Sequence, residues 1–448
     1  MSSLQLTLPH SWMHHHQQSL RLCSVKCALT KQSERFLSSL SAAAADDFSA
    51  ANRLIRKFVN SSSKAIALDA LSNLLSPNTN YPNLTSLALP IYSTISEANW
   101  FIWNPKLVSE LVALLFKQSK FNEAETLIYE TEQKLGLRDR ELAFFYCNLI
   151  ESHSKHKSAQ GVHESSTRLK ELLLNSNSVY LKRKAYGSMI SGYCAIDLPY
   201  QAEELMEEMK NLGIKPSEFE FRNLIHGFGK LGFFEDMERI VREFENSGFE
   251  VDTVCSNMIL SSYGIHNDLA KMNSWLLKMK DLEIPINIRT YNSVLNSCPT
   301  IISLISNPKN IPTPNSIKEL AGNLGKEEAM LIENLVGSSV LGEAMEWNPK
   351  ECKLDLHGMH LSSAYLVMLE WIQEMTSRIC DGQDVIPMEI IVVCGSGKHS
   401  QIRGESPVKS LVKEMMRSMK SPMRIDRKNV GCFVAKGKAV KDWLCMIK

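Results

Sequence analysis

Ala185-Tyr186-Gly187-Ser188-Met189-Ile190-Ser191-Gly192-Tyr193-Cys194, followed by Ala202-Glu203-Glu204-Leu205-Met206-Glu207-Glu208-Met209-Lys210, decides the fold, because its pattern returns every 35 residues. Tyr186, Phe221, Ser256 and Tyr291 stand one period apart. So do Met189, Leu224, Ile259 and Val294, and Ile190, Ile225, Leu260 and Leu295. A second apolar set follows in each unit: Leu205, Ile240 and Trp275, then Met209, Phe244 and Met279. The units close alike, in Gly213-Ile214, Gly248-Phe249 and Glu283-Ile284. Two apolar stripes at helical spacing, split by a polar turn, predict an antiparallel helix pair, A then B. Such a pair cannot bury its apolar face alone, so a fixed period of this length means a stacked α-solenoid. In the first clean unit helix B is predicted over 201–212, with Gly213 as a left-handed stop and Pro216 preventing continuation.

Outward from there, 183–217, 218–252 and 253–287 are regular units, and a further start at Thr290-Tyr291-Asn292 is cut off by Pro299. Upstream, the register is recognisable from Pro105, through a looser unit with extra residues near 140–142 and 178–182. The repeat array is thus predicted over 105–300. Residues 50–104 read as irregular helix broken by Pro77, Asn80 and Pro82, a degenerate N-terminal cap. Residues 301–350 read as a linker, most open at 307–315, with a helix over 316–344.

The pattern changes at Glu351. Lys353 to Gly358 reads as a strand ending in Gly, followed by an amphipathic helix over 362–378 and a buried strand over 388–394. A Gly-rich turn, Gly395-Ser396-Gly397-Lys398-His399-Ser400, leads to a helix over 408–419 and short strands at 424–426 and 431–435. This order predicts a small α/β sandwich over 351–448. A carboxylate and an imidazole one residue apart on a strand, Asp355 and His357, share a face and could orient water or hold a phosphate or divalent metal.

Composition narrows the classes. Net charge over 448 residues is +1, so the chain is not a polycation. The charge is unevenly placed. Residues 183–287 hold eleven Lys/Arg and seventeen Asp/Glu, whereas 398–441 hold twelve against three. That basic end, with Arg424, Arg427 and Lys428 grouped, attracts phosphate. Eleven scattered cysteines without zinc spacing indicate a reducing compartment, and no apolar run predicts a membrane span. The first 33 residues contain no Asp or Glu, and Val25-Lys26-Cys27-Ala28 looks like a processing site. Residues 1–45 therefore read as a transit peptide and unstructured start. The chloroplast is the expected address, and the mitochondrion the alternative.

These units resemble the pentatricopeptide repeat family, in Ala185 to Cys194, Ala202 to Lys210 and Gly213-Ile214-Lys215-Pro216. A tetratricopeptide array has a 34-residue unit and a different Trp/Gly/Tyr pattern. Leu354-Asp355-Leu356-His357-Gly358 and Gly395-Ser396-Gly397-Lys398-His399-Ser400 resemble the small MutS-related (Smr) domain. The combination resembles a plant pentatricopeptide repeat protein carrying that domain. The resemblance implies binding of single-stranded organellar RNA and a role in its processing or stabilisation. It also implies an endonuclease in some members, with Asp355 and His357 as catalytic residues. Gly395, Gly397, Lys398 and His399 would then lie around phosphate, with a divalent metal such as magnesium. Family members credited with cleavage usually have Thr where Cys394 stands here. In the family the fifth and last residues of each unit meet one base. Here those pairs are Gly187/Ser217, Arg222/Asp252 and Asn257/Asn287, with Asn292 starting a unit whose partner is lost. Upstream candidates are Ser109/Asp139 and Cys147/Asn177. The alternative is a non-catalytic scaffold for organelle gene-expression proteins.

Overall fold

The computed structural model describes residues 29–46, 48–174, 176–306, 316–380, 385–395 and 406–447. These fall into two compact units, Cys27–Phe249 and Glu250–Lys448. The division lies inside the repeat array, not at 301–350. The open part of that linker, 307–315, and most of the predicted transit peptide lie outside the described residues.

The first unit opens on α1 (Lys31–Asp46), α2 (Phe48–Ser61) and α3 (Lys64–Leu75). Residues 31–45 are therefore helical, against the expectation of an unstructured start. The physical reason is a short apolar stripe. Phe36, Leu37 and Leu40 recur at helical spacing and are buried. The Phe36 ring stacks on Phe58 at 3.7 Å, and Ser33 Oγ donates to the Ile66 carbonyl at 3.1 Å. Pro82 then starts a 3-10 turn, Pro82–Leu87, which leads into α4 (Ala88–Ser96). These helices form the atypical end of the array, with α1 as its unforeseen part.

Helix pairs follow: α5 (Pro105–Lys117) with α6 (Phe121–Leu135), α7 (Asp139–Lys155) with α8 (Ala159–Leu174), α9 (Val179–Ala195) with α10 (Pro199–Asn211), and α11 (Glu218–Lys230) with α12 (Phe234–Asn246). The looser spacing upstream has a simple basis. Helices α7 and α9 have 17 residues where α11 has 13, so the added residues extend helix A by a turn. Helices α5, α7, α9 and α11 pack successively. The predicted rows form the core: Met189, Ile190, Leu224, Ile225, Met209 and Phe244 are all buried. Each such side chain contributes about 1.5–3 kcal/mol by leaving water. Helix α10 ends at Gly213 with φ +73, as expected for a left-handed stop.

The second unit begins with α13 (Thr253–Ile265) and α14 (Leu269–Asp281), followed by α15 (Ile288–Leu295) and α16 (Pro299–Ile305). The single helix expected over 316–344 is three: α17 (Ile317–Gly322), α18 (Lys326–Leu335) and α19 (Val340–Ala344). Gly325 and Gly337, the latter at φ +79, interrupt it. Helix α18 packs along α14. Asn273 of α14 donates to the Glu327 carbonyl at 3.0 Å and accepts from Asn334 at 3.2 Å. The array is thus closed by α18, on a face that a further unit would cover.

The described strands form one sheet in the order β1-β2-β3-β5-β4: β1 (Met345–Trp347), β2 (Glu351–Asp355), β3 (Glu389–Val393), β4 (Arg424–Ile425) and β5 (Cys432–Lys436). Only β2 and β3 are parallel, joined by α20 (Leu361–Cys380). Helices α21 (Pro407–Ser418) and α22 (Gly437–Ile447) complete the layer. Strand β1 and helix α22 were not legible. Trp371 of α20 is fully buried, and Cys352 and Leu354 face the core from β2. Seven of the nine described cysteines are buried. Among the described residues no helix is long and apolar enough to cross a membrane.

Two expectations follow for stability. Glu283 ends α14 at φ +54, where Gly213 and Gly248 end the preceding B helices. Glu283→Gly relieves the Cβ clash and should raise stability by about 1 kcal/mol, read as a higher urea midpoint. Glu370 on α20 is buried, which pushes its carboxyl up from 4.5 to about 7, while the Tyr291 hydroxyl, 3.0 Å away, works the other way. A raised carboxyl favours the neutral form in the fold. Its contribution is complete below about pH 4.5 and is lost as pH rises through about 7. The loss is on the order of 3 kcal/mol. Wild type should therefore fall relative to Glu370→Gln in urea midpoint between these pH values; parallel curves would refute the assignment.

Candidate nucleic-acid interface

The last residue of each regular unit is the N-cap of the next helix A. Ser217 caps α11, accepting from the Phe219 amide at 3.3 Å, in a capping box with Glu220. Asp252 caps α13, accepting from Cys255 N–H at 2.8 Å. Asn287 caps α15, accepting at Oδ1 from the Arg289 and Thr290 amides, both at 3.0 Å. The first amides of a helix need such an acceptor. One side-chain oxygen is thereby committed to structure. Asn287 keeps an NH2 donor beside its capping oxygen.

The fifth positions differ from one another. Asn257 Nδ2 lies 3.4 Å from Asn287 Oδ1, and Asn257 Oδ1 is buried without a hydrogen-bond partner. The two asparagines are thus brought together. Arg222, 17% exposed, pairs with Glu218 one turn earlier at 2.7 Å. Gly187 has a reason to lack a side chain: a Cβ there would lie 2.9 Å from the Glu220 carboxylate that closes the capping box. Asn292 is engaged elsewhere. Its Nδ2 donates to the Gly358 carbonyl at 3.0 Å, and its Oδ1 accepts from His360 N–H at 2.9 Å. Upstream, Ser109 is buried and donates back to the Pro105 carbonyl at 2.9 Å, and Cys147 is buried. Asp139 and Asn177 are exposed. The N-cap of α9 is Ser178, not Asn177, so the register there is one residue off.

At the C-terminal sheet, pairing places Asp355 opposite Val393, and Val393 opposite Cys432. The turns after β2, after β3 and before β5 therefore meet at one end. The strand stops at Asp355, so Asp355 and His357 do not share a strand face as expected. Asp355 Oδ1 accepts from His357 N–H at 2.9 Å and closes a turn, with Gly358 at φ +83. His357 is exposed in that turn, and Asp355 is half-buried. Gly395 follows β3 at φ +80. Ser406 pins the far end of that loop, donating to the Cys394 carbonyl at 3.0 Å while capping α21. Gly397, Lys398 and His399 lie outside the described residues. Burial pushes the Cys394 thiol up to about 12, helped by Cys432 and Asp355, so it stays protonated. Arg424, Arg427 and Lys428 are exposed on β4 and the turn beyond it. Among the described residues no three His, Cys, Asp or Glu side chains converge on a metal position.

The acids of the B helices have a role that composition alone did not show. Arg239 bonds Glu203 one repeat back at 2.6 Å, Lys170 bonds Glu208 at 2.7 Å, and Arg168 bonds Glu125 at 2.7 Å. Lys210 similarly bridges to Glu243. These ladders tie successive B helices together. A sequence signal existed: opposite charges separated by one period plus or minus a helical turn.

The pattern of the PPR repeat matches residues 184–214 and 221–249, and that of the pentatricopeptide repeat domain residues 239–300. The pentatricopeptide repeat-containing protein At2g17033 of Arabidopsis thaliana is 53% identical over 436 residues, covering 97% of this chain and 86% of that protein. The chloroplastic protein ATP4 of Zea mays is 19% identical over 269 residues, 58% of this chain and 39% of its own length. Among solved structures, PPR10 from maize is similar over 86% of this chain and 60% of its own, at 11% identity and a TM-score of 0.34. With its 35-residue helix pairs and a near full-length relative of that kind, the chain belongs to the pentatricopeptide repeat family.

Proposed function

We propose that the chain binds single-stranded organellar RNA through the helix-A residues of its repeats and grips the same RNA with an Smr-like C-terminal domain, acting in RNA processing or stabilisation in the chloroplast. The observation that carries this reading is the Asn257/Asn287 pair. A buried, unsatisfied acceptor costs about 1–3 kcal/mol, and Asn257 Oδ1 is one. A base N–H satisfies it once the amide turns outward. The Asn287 NH2 remains available beside it as a donor. Together they offer an acceptor and a donor to a base edge, and resemblance to the family implies that such an Asn/Asn pair prefers a pyrimidine. The acid-free leader and membership of a repeat family with chloroplastic members support the address.

For the C-terminal domain the favoured reading is grip. Arg424, Arg427 and Lys428 stand exposed near the sheet end that carries Asp355, His357 and Gly395, and suit phosphate. Magnesium is commonly held by one or two carboxylates together with phosphate oxygens. Asp355 would offer the one oxygen not committed to its turn, with the RNA phosphate as co-ligand. A neutral Cys394 thiol where cleaving members have Thr favours holding over turnover.

Two sets of measurements test this. Full-length protein is offered a randomised single-stranded RNA pool. Asn257→Ala should weaken binding of the recovered RNA about tenfold. Asn287→Asp keeps the cap but swaps donor for acceptor, so it should shift base preference at one position without lowering the melting temperature. RNA recovery indifferent to both substitutions rules out the reading. Separately, Arg427→Ala and Lys428→Ala should weaken all RNAs alike and reduce the salt slope by about 0.7 for each phosphate no longer neutralised. Incubation with magnesium should leave the RNA intact; cutting that Asp355→Ala abolishes would make the domain a nuclease instead.

A further inference from the structure

Asn292 stands one period after Asn257 and holds the fifth place of the last, truncated unit. Its amide makes two bonds with one short stretch of backbone, donating to the Gly358 carbonyl and accepting from the His360 amide. A carbonyl beside an N–H is also what the Watson–Crick edge of a uracil presents. The backbone of this turn therefore occupies Asn292 in the way a base would.

The contact is built into the fold. Asn296, the C-cap of α15 one turn beyond Asn292, places its Nδ2 2.5 Å from His360 Nδ1. Burial holds His360 below its ordinary pKa, so its ring is neutral and can accept there. Met359 is buried. Deeper in, Tyr291 on the same helix places its hydroxyl 3.0 Å from the Glu370 carboxyl of α20 and 2.9 Å from the Leu335 carbonyl. The partner position one period after Asn287 is Gly322, which has no side chain to read with. The last unit thus lacks one reader and has the other engaged.

We propose that the Leu356–His360 turn fills the base-reading place of the last repeat. Sequence reading then ends at Asn257/Asn287, and the next nucleotide meets the exposed His357 beside Asp355. This rests on the RNA reading above. It makes Asn292 and Asn296 positioning residues that set the register between the last base read and the C-terminal site. Whatever that site does to RNA happens one nucleotide step beyond the Asn257 base.

The test uses the full chain and the RNA recovered from the randomised pool, with 4-thiouridine placed at each position in turn. The nucleotide next to the one whose preference Asn257→Ala alters should crosslink to the peptide containing His357. Asn292→Ser, and the near-isosteric Asn292→Asp, should change base preference at no position by more than twofold. A crosslink from that nucleotide to the Ile288–Leu295 helix overturns the proposal. So does a tenfold change of preference there in either Asn292 variant. If Asn257→Ala itself alters nothing, the RNA reading fails and this proposal with it. If Asn257→Ala acts and an Asn292 variant re-reads the neighbouring base, only this proposal fails. The crosslink is read in the wild-type chain, so it decides the matter even where an Asn292 variant does not fold.

Discussion

The N-cap at each repeat boundary is the constraint on which the rest depends. Every helix A begins with amides that the preceding helix cannot satisfy. The chain meets them with the last residue of the unit before: Ser217, Asp252 and Asn287. Those positions therefore favour a small polar side chain. In the RNA reading proposed above, the same residues also meet a base. Stability and recognition compete for one side chain, and the outcome differs at each boundary. At Ser217 the competition ends in favour of structure. Glu220 completes the capping box and presses against the place where a side chain at residue 187 would stand. At Asn287 the cap takes one oxygen and leaves an amide NH2, so both tasks can be met.

Much of this was legible in the sequence because it is periodic. Apolar rows at 35-residue spacing fix which faces are buried, and Gly213 marks its helix end, since both follow from local geometry. The strands over 351–436 were legible for a similar reason: continuous apolar runs ended by Gly or by polar turns. What escaped reading is non-local. Helix α1 depends on Phe36 meeting Phe58 and Ser33 meeting the Ile66 carbonyl, contacts that no window of sequence displays. Strand β1 has three residues and exists because β2 offers it an edge. Asn292 reads by period as a base-contacting residue, yet pairs with Gly358 and His360, 66 and 68 residues away. Asp355 reads as lying within a strand that runs to Gly358, whereas β2 ends at Asp355. Its partnership with the His357 backbone, rather than a shared strand face, is a turn geometry that the pattern Leu-Asp-Leu-His-Gly permits without requiring.

The two ends of the repeat array are closed by different means. At the N-terminal end, α1 to α4 supply an irregular apolar cap. At the other end, α18 lies on α14, and α20 meets α15 through the buried Tyr291–Glu370 contact. A polar contact in a core is usually a poor source of stability and a good source of specificity. Here it fixes which face of α15 the C-terminal domain engages. This also explains why the compact division of the chain falls inside the array rather than at the proline-rich segment. The last helices of the array share their core with the domain that follows them.

If the repeats read RNA as proposed, specificity is limited by the number of readers and must be supplemented by geometry. A mismatched base typically costs about 1–3 kcal/mol in a well-formed nucleic-acid site, a discrimination of roughly tenfold to a hundredfold. One well-formed pair among the regular units would not by itself select a single transcript. Phosphate contacts add affinity without sequence information, and on the proposed reading the basic C-terminal turns would add mainly that. A fixed distance between the last base read and a rigidly attached domain adds something different. It restricts productive complexes to RNAs whose readable base lies the correct number of nucleotides from a segment that the domain can hold. On that reading, rigidity at α15 would convert weak base reading into positional selection. A flexible linker at the same place would lose this effect, because it would let the domain engage RNA at many distances from the same base.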